Sequence, residues 1–417
     1  MEGCCSGTGQ DATVVPPPAL GGPPHIEYSG VPMSTIGLAR VPEISQGAGS
    51  LAGMGEALKA RLPAGSAVLL VADPGLRAGG AIEAAGAALR HAGLGLVEFS
   101  DLKSDPTMAQ VDAATAIARR ERVAAVIALG GGSAMDVGKT IAAIAGAPAG
   151  AGHYGLCANP FPPERLLSVC VPTTSGTGSE ATRTAVLAAP DGAKVWLWGD
   201  ELKPALIVLD PALTTGLPAA LTAATGIDAL VHAIEASTNA NANEANDLYC
   251  HRAIALVVRH LARAVAVPGD LVARAGLQWA ATLAGIGIDN CGTAIAHNIG
   301  HALASLRPVH HGRAVGLALR ATLDWNAAED PDGRFAAAAA AMGETANAKQ
   351  LPVAFERLLR EAGVKVSLAG EGHDHVTPAA LAAQMARPEN AAMRLSNCRR
   401  VGDADLLEFA TAVLAAS

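Results

Sequence analysis

The stretch VAAVIALGGGSAMDVGKT, residues 123–140, passes from an apolar run through three glycines into a segment of helical character. Its first seven residues are all apolar, the pattern of a strand buried on both faces. Glycines at 130, 131 and 132 let backbone N–H groups approach a phosphate without Cβ interference, and a helix opening at Ser133 adds partial positive charge. Ser133 and Asp136 fit an S-x-x-D capping pattern. The spacing is not the G-x-G-x-x-G of the dinucleotide fingerprint, so a plain, tight strand-to-helix turn explains these residues equally well.

Working outward, strand and helix patterns alternate. SAVLLVAD (66–73) is a short apolar run, AIEAAGAALRHAG is helical, LGLVEFS is a strand and VDAATAIARRER a helix. After residue 140, LLSVCVPTT (166–174) and PALIVLD (204–210) are further apolar runs, and from about 212 the pattern is helical throughout. This order predicts an α/β chain: a disordered Gly/Pro/Ser-rich tail over 1–40, an N-terminal Rossmann-like α/β domain over 41–211, whose glycine turn makes it the candidate dinucleotide-binding domain, and an all-helical domain over 212–417, which holds the candidate metal-binding and catalytic residues.

Composition agrees. At 417 residues two domains are the better prior. Half of the residues are apolar and only 3% aromatic, which favours closely packed helices. The formal charge of −8, without a Lys/Arg block, gives no case for nucleic acid. No apolar run reaches the roughly 18–20 residues of a bilayer crossing, LQWAATLAGIGI (277–288) stopping short. Seven cysteines, two of them adjacent at 4 and 5 and five scattered, and a first forty residues with one Arg and no Lys predict reduced thiols, no leader peptide and a cytoplasmic location. A homo-oligomer, a dimer in the first instance, is the usual form of such a chain.

Two further stretches belong to the α/β part. Asp73 closes an apolar run before Pro74 and Gly75; a carboxylate there can accept hydrogen bonds from a ribose and repel a 2′-phosphate, or simply initiate a turn. PTTSGTGSEAT (172–182) places Thr173, Thr174, Ser175, Thr177 and Ser179 after a strand, where ligands of open α/β sheets bind; a surface loop is the alternative.

The helical half holds the metal candidates. TGIDALVHAIEAS sets Asp228 and His232 four apart on one helix face, a pair that could hold a divalent cation or share a buried hydrogen bond. GTAIAHNIGHALASLRPVHHG repeats the spacing with His297 and His301, before Pro308 ends the helix ahead of His310, His311 and Gly312. One Asp with two or three His from separate helices makes an N/O site suited to Fe²⁺ or Zn²⁺. A rival, His373-Asp374-His375 in EGHDHV, reads as a solvated turn.

From Pro42 to the C-terminus the chain resembles the iron-containing (group III) alcohol dehydrogenases, with their dehydroquinate-synthase-like fold. The resemblance rests on QGAGSLAGMGEAL (46–58), GGGSAMDVGK, PTTSGTGSEAT, LDPALTTGLPAALTAATGIDALVHAIEA (209–236) and the histidine cluster. It implies Asp228, His232, His297 and His311 as metal ligands and His301 as a proton-relay or positioning group beside the nicotinamide. It further implies Gly131, Gly132 and Ser133 at the pyrophosphate, Thr173 to Ser179 along the cofactor cleft, and Asp73 as the residue of NAD preference, with NADP as the alternative. The implied activity is a metal-dependent NAD(P)-linked alcohol dehydrogenase or aldehyde reductase acting on a small alcohol or aldehyde. The competing readings are a metal-independent oxo-acid reductase resembling maleylacetate reductase, a cyclase resembling dehydroquinate synthase, and a non-catalytic metal-stabilised protein. Arg307, where the family carries aromatics, would meet an acidic group on the substrate or point to solvent.

Overall fold

The computed structural model describes residues 36–415. The tail expected over 1–40 therefore lies outside the described residues as far as 35, and its last two residues are tied down. The Ala39 N–H donates to Asn290 Oδ1, and the Arg40 guanidinium to the carbonyls of Lys203 and Pro204.

Eight strands occur: β1 (Glu43–Gln46), β2 (Ala67–Ala72), β3 (Gly95–Phe99), β4 (Ala125–Gly130), β5 (Leu167–Pro172), β6 (Thr184–Ala188), β7 (Lys194–Trp198) and β8 (Leu206–Leu209). Helices α1 (Met54–Lys59), α2 (Ala81–His91), α3 (Met108–Arg120) and α4 (Gly132–Ile144) lie between the strands. After them come α5 (Ala219–Thr238), α6 (Glu244–Ala266), α7 (Leu271–Cys291), α8 (Ile295–Leu306) and α9 (His311–Ala327). The rest are α10 (Arg334–Ala341), α11 (Gln350–Glu361), α12 (Pro378–Met385), α13 (Ala391–Leu395) and α14 (Asp403–Ala415).

Six strands pair in parallel in the order β1-β8-β5-β4-β2-β3. Side chains alternate across the sheet, so that Leu69 and Val71 of β2 join Val111 and Ile141 on one face, while Val68 and Leu70 join Leu58 and Leu89 on the other. Both faces are thus covered by helices, as a parallel sheet requires. The strand order reverses beside β2, which pairs with β3 on one side and β4 on the other. Asp73 and the glycine turn leave from adjacent carboxyl ends at that switch, where open α/β sheets bind ligands. The Asp73 N–H donates to the Leu129 carbonyl, and the Thr173 N–H to that of Gly130. The motifs of three strands are thereby set on one edge.

Gly130 has φ +153°, and a methyl group on it would lie 2.7 Å from Ala134 Cβ, so only glycine fits the turn into α4. The helix opens at Gly132, with no side-chain cap. The expected Ser133–Asp136 capping pair therefore does not form: the Asp136 carboxylate turns away to accept from Ser179 Oγ and the Val186 N–H.

A second departure is the antiparallel hairpin β6–β7, which the sequence pattern above leaves unassigned. A third concerns α7. By length and composition this 21-residue helix is long enough to span a bilayer. It is instead a core helix packed on α5 and α6, and its two charged side chains, Arg274 and Asp289, are both buried. Asp289 takes hydrogen bonds from Arg183 and Lys203 of the α/β part, a satisfied buried network. From Leu38 onward the α/β and helical parts form one compact unit. The five cysteines among the described residues make no disulfide.

Strain at Gly130 predicts that Gly130→Ala destabilises the protein by about 1–3 kcal/mol. Gly131→Ala should cost less, because φ there is −81° and a methyl group meets Thr174 Cγ2 at 3.4 Å. Thermal unfolding of the two variants checks the order; equal losses would contradict it.

Candidate metal centre and nucleotide edge

Helix α5 is buried along nearly its whole length, yet it carries Asp228, His232 and Glu235, with Asn239 following as its C-cap. The spacing of four, three and four puts them on one stripe. That stripe meets the segment joining α7 to α8 and the first turns of α8 and α9. Asn239 donates to the carbonyls of Cys291 and Gly292, closing its far end. At the near end Gly312 brings α9 against α5. A methyl group there would overlap the Ala224 carbonyl oxygen and lie 2.9 Å from Asp228 Cβ, so glycine is what lets His311 reach Asp228.

Asp228 Oδ1 stands 3.9 Å from His232 Nε2, 3.9 Å from His297 Nε2 and 3.5 Å from His311 Nε2. The donor atoms of these four residues all lie within 4.8 Å of one another, and no other such group occurs among the described residues. These separations are long for hydrogen bonds but suit donors around a common point. A tetrahedral shell with bonds of about 2.1 Å sets its donors roughly 3.4 Å apart. Asp228 Oδ1 and His297 Nε2 are buried with no hydrogen-bond partner. Buried polar atoms are rarely left so, and a divalent cation satisfies an Asp/His₃ set of this kind. The residues present fit the metal.

Burial pushes the Asp228 carboxyl up to about 7, with His297 opposing and Glu235 adding to the rise. Burial, then the neighbouring imidazoles, hold His232 and His311 well below the ordinary histidine range. His301 is brought down to about 3 by burial, with His297 and Lys194 adding. The rings of His232 and His311 are therefore neutral, as ligation requires, and so is that of His301 beside them. His310 is exposed at the start of α9, so of the doubled pair it is His311 that joins the cluster.

A cavity of about 320 Å³ opens from this cluster. It is lined by His232, His297, His301 and His311 of the helical part and by Gly132, Ser133, Thr177 and Ser179 of the α/β part. Of the other expected cofactor residues, Thr174 lies beside Gly131, while Thr173 and Ser175 are buried in the loop; neither these three nor Asp73 and Gly131 lines the cavity. Asp73 is exposed, and its carboxylate accepts from the Gly75 N–H at 2.8 Å, the turn-forming role. Ser179 is engaged as well. Buried Lys139 of α4 donates to Ser179 Oγ and to the carbonyls of Ser179 and Thr184, pinning loop and hairpin onto the glycine turn's helix.

Arg307 is exposed and lies outside the cavity, the second of its two readings; the helix ends at Leu306 and releases it to solvent. The cation that does face the cavity is Lys194, on the unassigned hairpin, where it pairs with Asp105 at 2.8 Å. The turn signal Pro190-Asp191-Gly192 between alternating apolar residues could have found it. His373 is buried rather than solvated, while Asp374 and His375 are exposed; the three do not gather into a site. Glu235 also went unnoticed. Its signal is the i+3 step from His232.

A parallel sheet whose glycine turn faces a helical part bearing a buried Asp/His₃ set defines a dinucleotide-type metalloenzyme architecture. Comparison with known proteins assigns the family within that class. Residues 42–211 match the model for "iron-containing alcohol dehydrogenase", and residues 222–413 that for "Fe-containing alcohol dehydrogenase family, C-terminal". The 1,3-propanediol dehydrogenase of Klebsiella pneumoniae is 36% identical over 292 residues, 69% of this chain and 74% of that one. The NAD-dependent methanol dehydrogenase of Bacillus methanolicus is 31% identical over 70% of this chain and 76% of that one. A crystal structure of a 1,3-propanediol oxidoreductase superposes with a TM-score of 0.81 at 32% identity, covering 89% of this chain and 98% of that one. The chain belongs to the iron-containing alcohol dehydrogenase family and is an oxidoreductase.

The raised Asp228 carboxyl makes a pH prediction. Its folded value of about 7 lies above the unfolded one, so its contribution to metal-free stability is full below about pH 4 and is lost as pH rises through 7. A cation takes the proton's place. The gain in melting temperature from saturating Zn²⁺ should therefore grow from pH 5 to pH 7 and level off above. A gain independent of pH over that range would contradict the assignment.

Proposed function

We propose that this oxidoreductase moves a hydride between the nicotinamide of NAD(H) and the carbon of a small alcohol or aldehyde, with a divalent cation, Fe²⁺ first and Zn²⁺ second, held by Asp228, His232, His297 and His311. The observation that carries this reading is the cavity itself, which is lined both by the three histidines of the donor set and by the glycine turn with its hydroxyl-rich loop. The cation, when bound, supplies Lewis acidity toward the substrate oxygen.

The chain's own residues supply the rest. Gly132, with the N-terminus of α4, offers N–H groups to a pyrophosphate. His301 lines the cavity outside the donor set, with its ring centre 5.3 Å from that of His311. Kept neutral, it can accept a hydrogen bond from a hydroxyl in the cavity and so position it. The limited volume favours short substrates, and the Lys139 strap fixes the nucleotide wall so that the reacting groups stay aligned. On this reading 41–211 binds the nucleotide and 212–417 the cation. Asp73, one residue beyond β2, faces the ribose with the carboxylate oxygen that the Gly75 N–H leaves free, and so favours NAD over NADP. With Arg307 in solvent, nothing about that residue favours an oxo acid.

Metal analysis of protein purified without chelator, together with NADH fluorescence, tests the reading; failure to bind either would overturn it. Replacing His297 by Ala should lower bound metal and activity together, whereas His301→Ala should lower turnover by about 10²- to 10⁴-fold with metal retained. Equal metal loss in both variants would mean the roles are misassigned. For the ribose, Asp73→Gly should raise the NADPH-to-NADH ratio of kcat/KM, and an unchanged ratio would refute that placement.

A further inference from the structure

We propose that Glu235 is the positioning residue of the metal centre: from one buried carboxylate it both caps helix α8 and fixes which nitrogen of His297 faces the cation. The inference rests on the metal reading above.

The geometry is specific. Helix α8 begins after Ala294 and has no side-chain cap of its own. Its leading N–H groups are taken instead by Glu235 of α5, which accepts from Ala294 at 2.9 Å through Oε2 and from Ala296 at 2.7 Å through Oε1. Oε2 also lies 2.6 Å from His297 Nδ1. An ionised carboxylate has only lone pairs, so Nδ1 must carry the proton and donate it. The other nitrogen, Nε2, is then left with its lone pair, and Nε2 is the atom that stands 3.9 Å from Asp228 Oδ1, buried and without a partner. The carboxylate thus sets the tautomer, the ring orientation and the position of the helix that carries the ring. Carboxylate-to-imidazole contacts of this kind raise ligand basicity and orient metal sites. Glu235 is 3% exposed and does not line the cavity that opens from the cluster, so its place is behind the site rather than in it. Its effect is exerted through His297.

Zn²⁺ affinity, read by competition with a chelating dye on the purified full chain, tests the proposal. Glu235→Gln keeps the side chain's shape but removes the charge and cannot accept all three hydrogen bonds. It should weaken Zn²⁺ binding about 10- to 100-fold. Glu235→Asp, which keeps an acceptor-only group, should recover part of that loss. In a His297→Ala background the same Glu235→Gln change should alter Zn²⁺ affinity less than about 2-fold, a non-additivity that a merely structural role would not produce. Independently of any variant's folding, long-range ¹H–¹⁵N spectra of the metal-free, histidine-labelled chain should show His297 protonated at Nδ1. A proton on Nε2, undiminished Zn²⁺ affinity in Glu235→Gln, or full additivity with His297→Ala would each overturn the proposal. Absence of Zn²⁺ and NADH binding by the unaltered protein would instead defeat the metal and cofactor reading itself.

Discussion

A carboxylate oxygen without a hydrogen-bond partner, buried among three imidazoles, is the constraint on which the arrangement of the helical part depends. Asp228 sits on a helix that is otherwise apolar and almost wholly buried. Burying an unpaired charge costs several kcal/mol, and its raised carboxyl pKa expresses that cost. A divalent cation relieves it at once. Three helices meet there: α5 brings Asp228 and His232, α8 brings His297, and α9 brings His311. Gly312 permits the last approach, and Glu235 holds the second.

The sheet meets this cluster through one edge. Because β2, β4 and β5 run parallel, their carboxyl ends and the loops that follow lie together, and the switch in strand order leaves a crevice beside the glycine turn. Lys139 binds that crevice's two walls through the oxygens of Ser179, Thr182 and Thr184. Gly176 packs on Thr225 of α5, so the hydroxyl-rich loop touches the helix that carries Asp228 and His232. Nucleotide edge and cation cluster are therefore held by the same short loop, which is how two separately folded patterns come to share one small cavity.

Much of this was legible in the residues. Apolar runs of six to eight marked β2, β4 and β5 because parallel strands covered on both faces need them, and the i, i+4 steps at Asp228/His232 and His297/His301 showed which side chains share a helix face. What the chain alone could not show was direction in space. Asp136 has the spacing of a helix cap, yet a Ser hydroxyl and a hairpin N–H 43 and 50 residues away draw it elsewhere. Arg307 stands in sequence between ligands, but a helix end turns it to solvent. His373 reads as polar turn residue and is buried. Hairpin β6–β7 packs beside α4 as a separate two-stranded sheet, so its position over the cavity, and that of Lys194, depends on contacts distant in sequence. Glu235 shows the same limit. Its partners lie about sixty residues along the chain.

A crystal structure of the protein grown with Zn²⁺ and NAD⁺, with anomalous diffraction measured across the zinc edge, tests the central claim most directly. The account predicts one anomalous peak bonded to Asp228, His232, His297 and His311 at roughly 2.0–2.2 Å, with the nicotinamide ring in the same cavity beside His301. A peak bonded to other residues, or a cofactor seated away from the glycine turn, would contradict it.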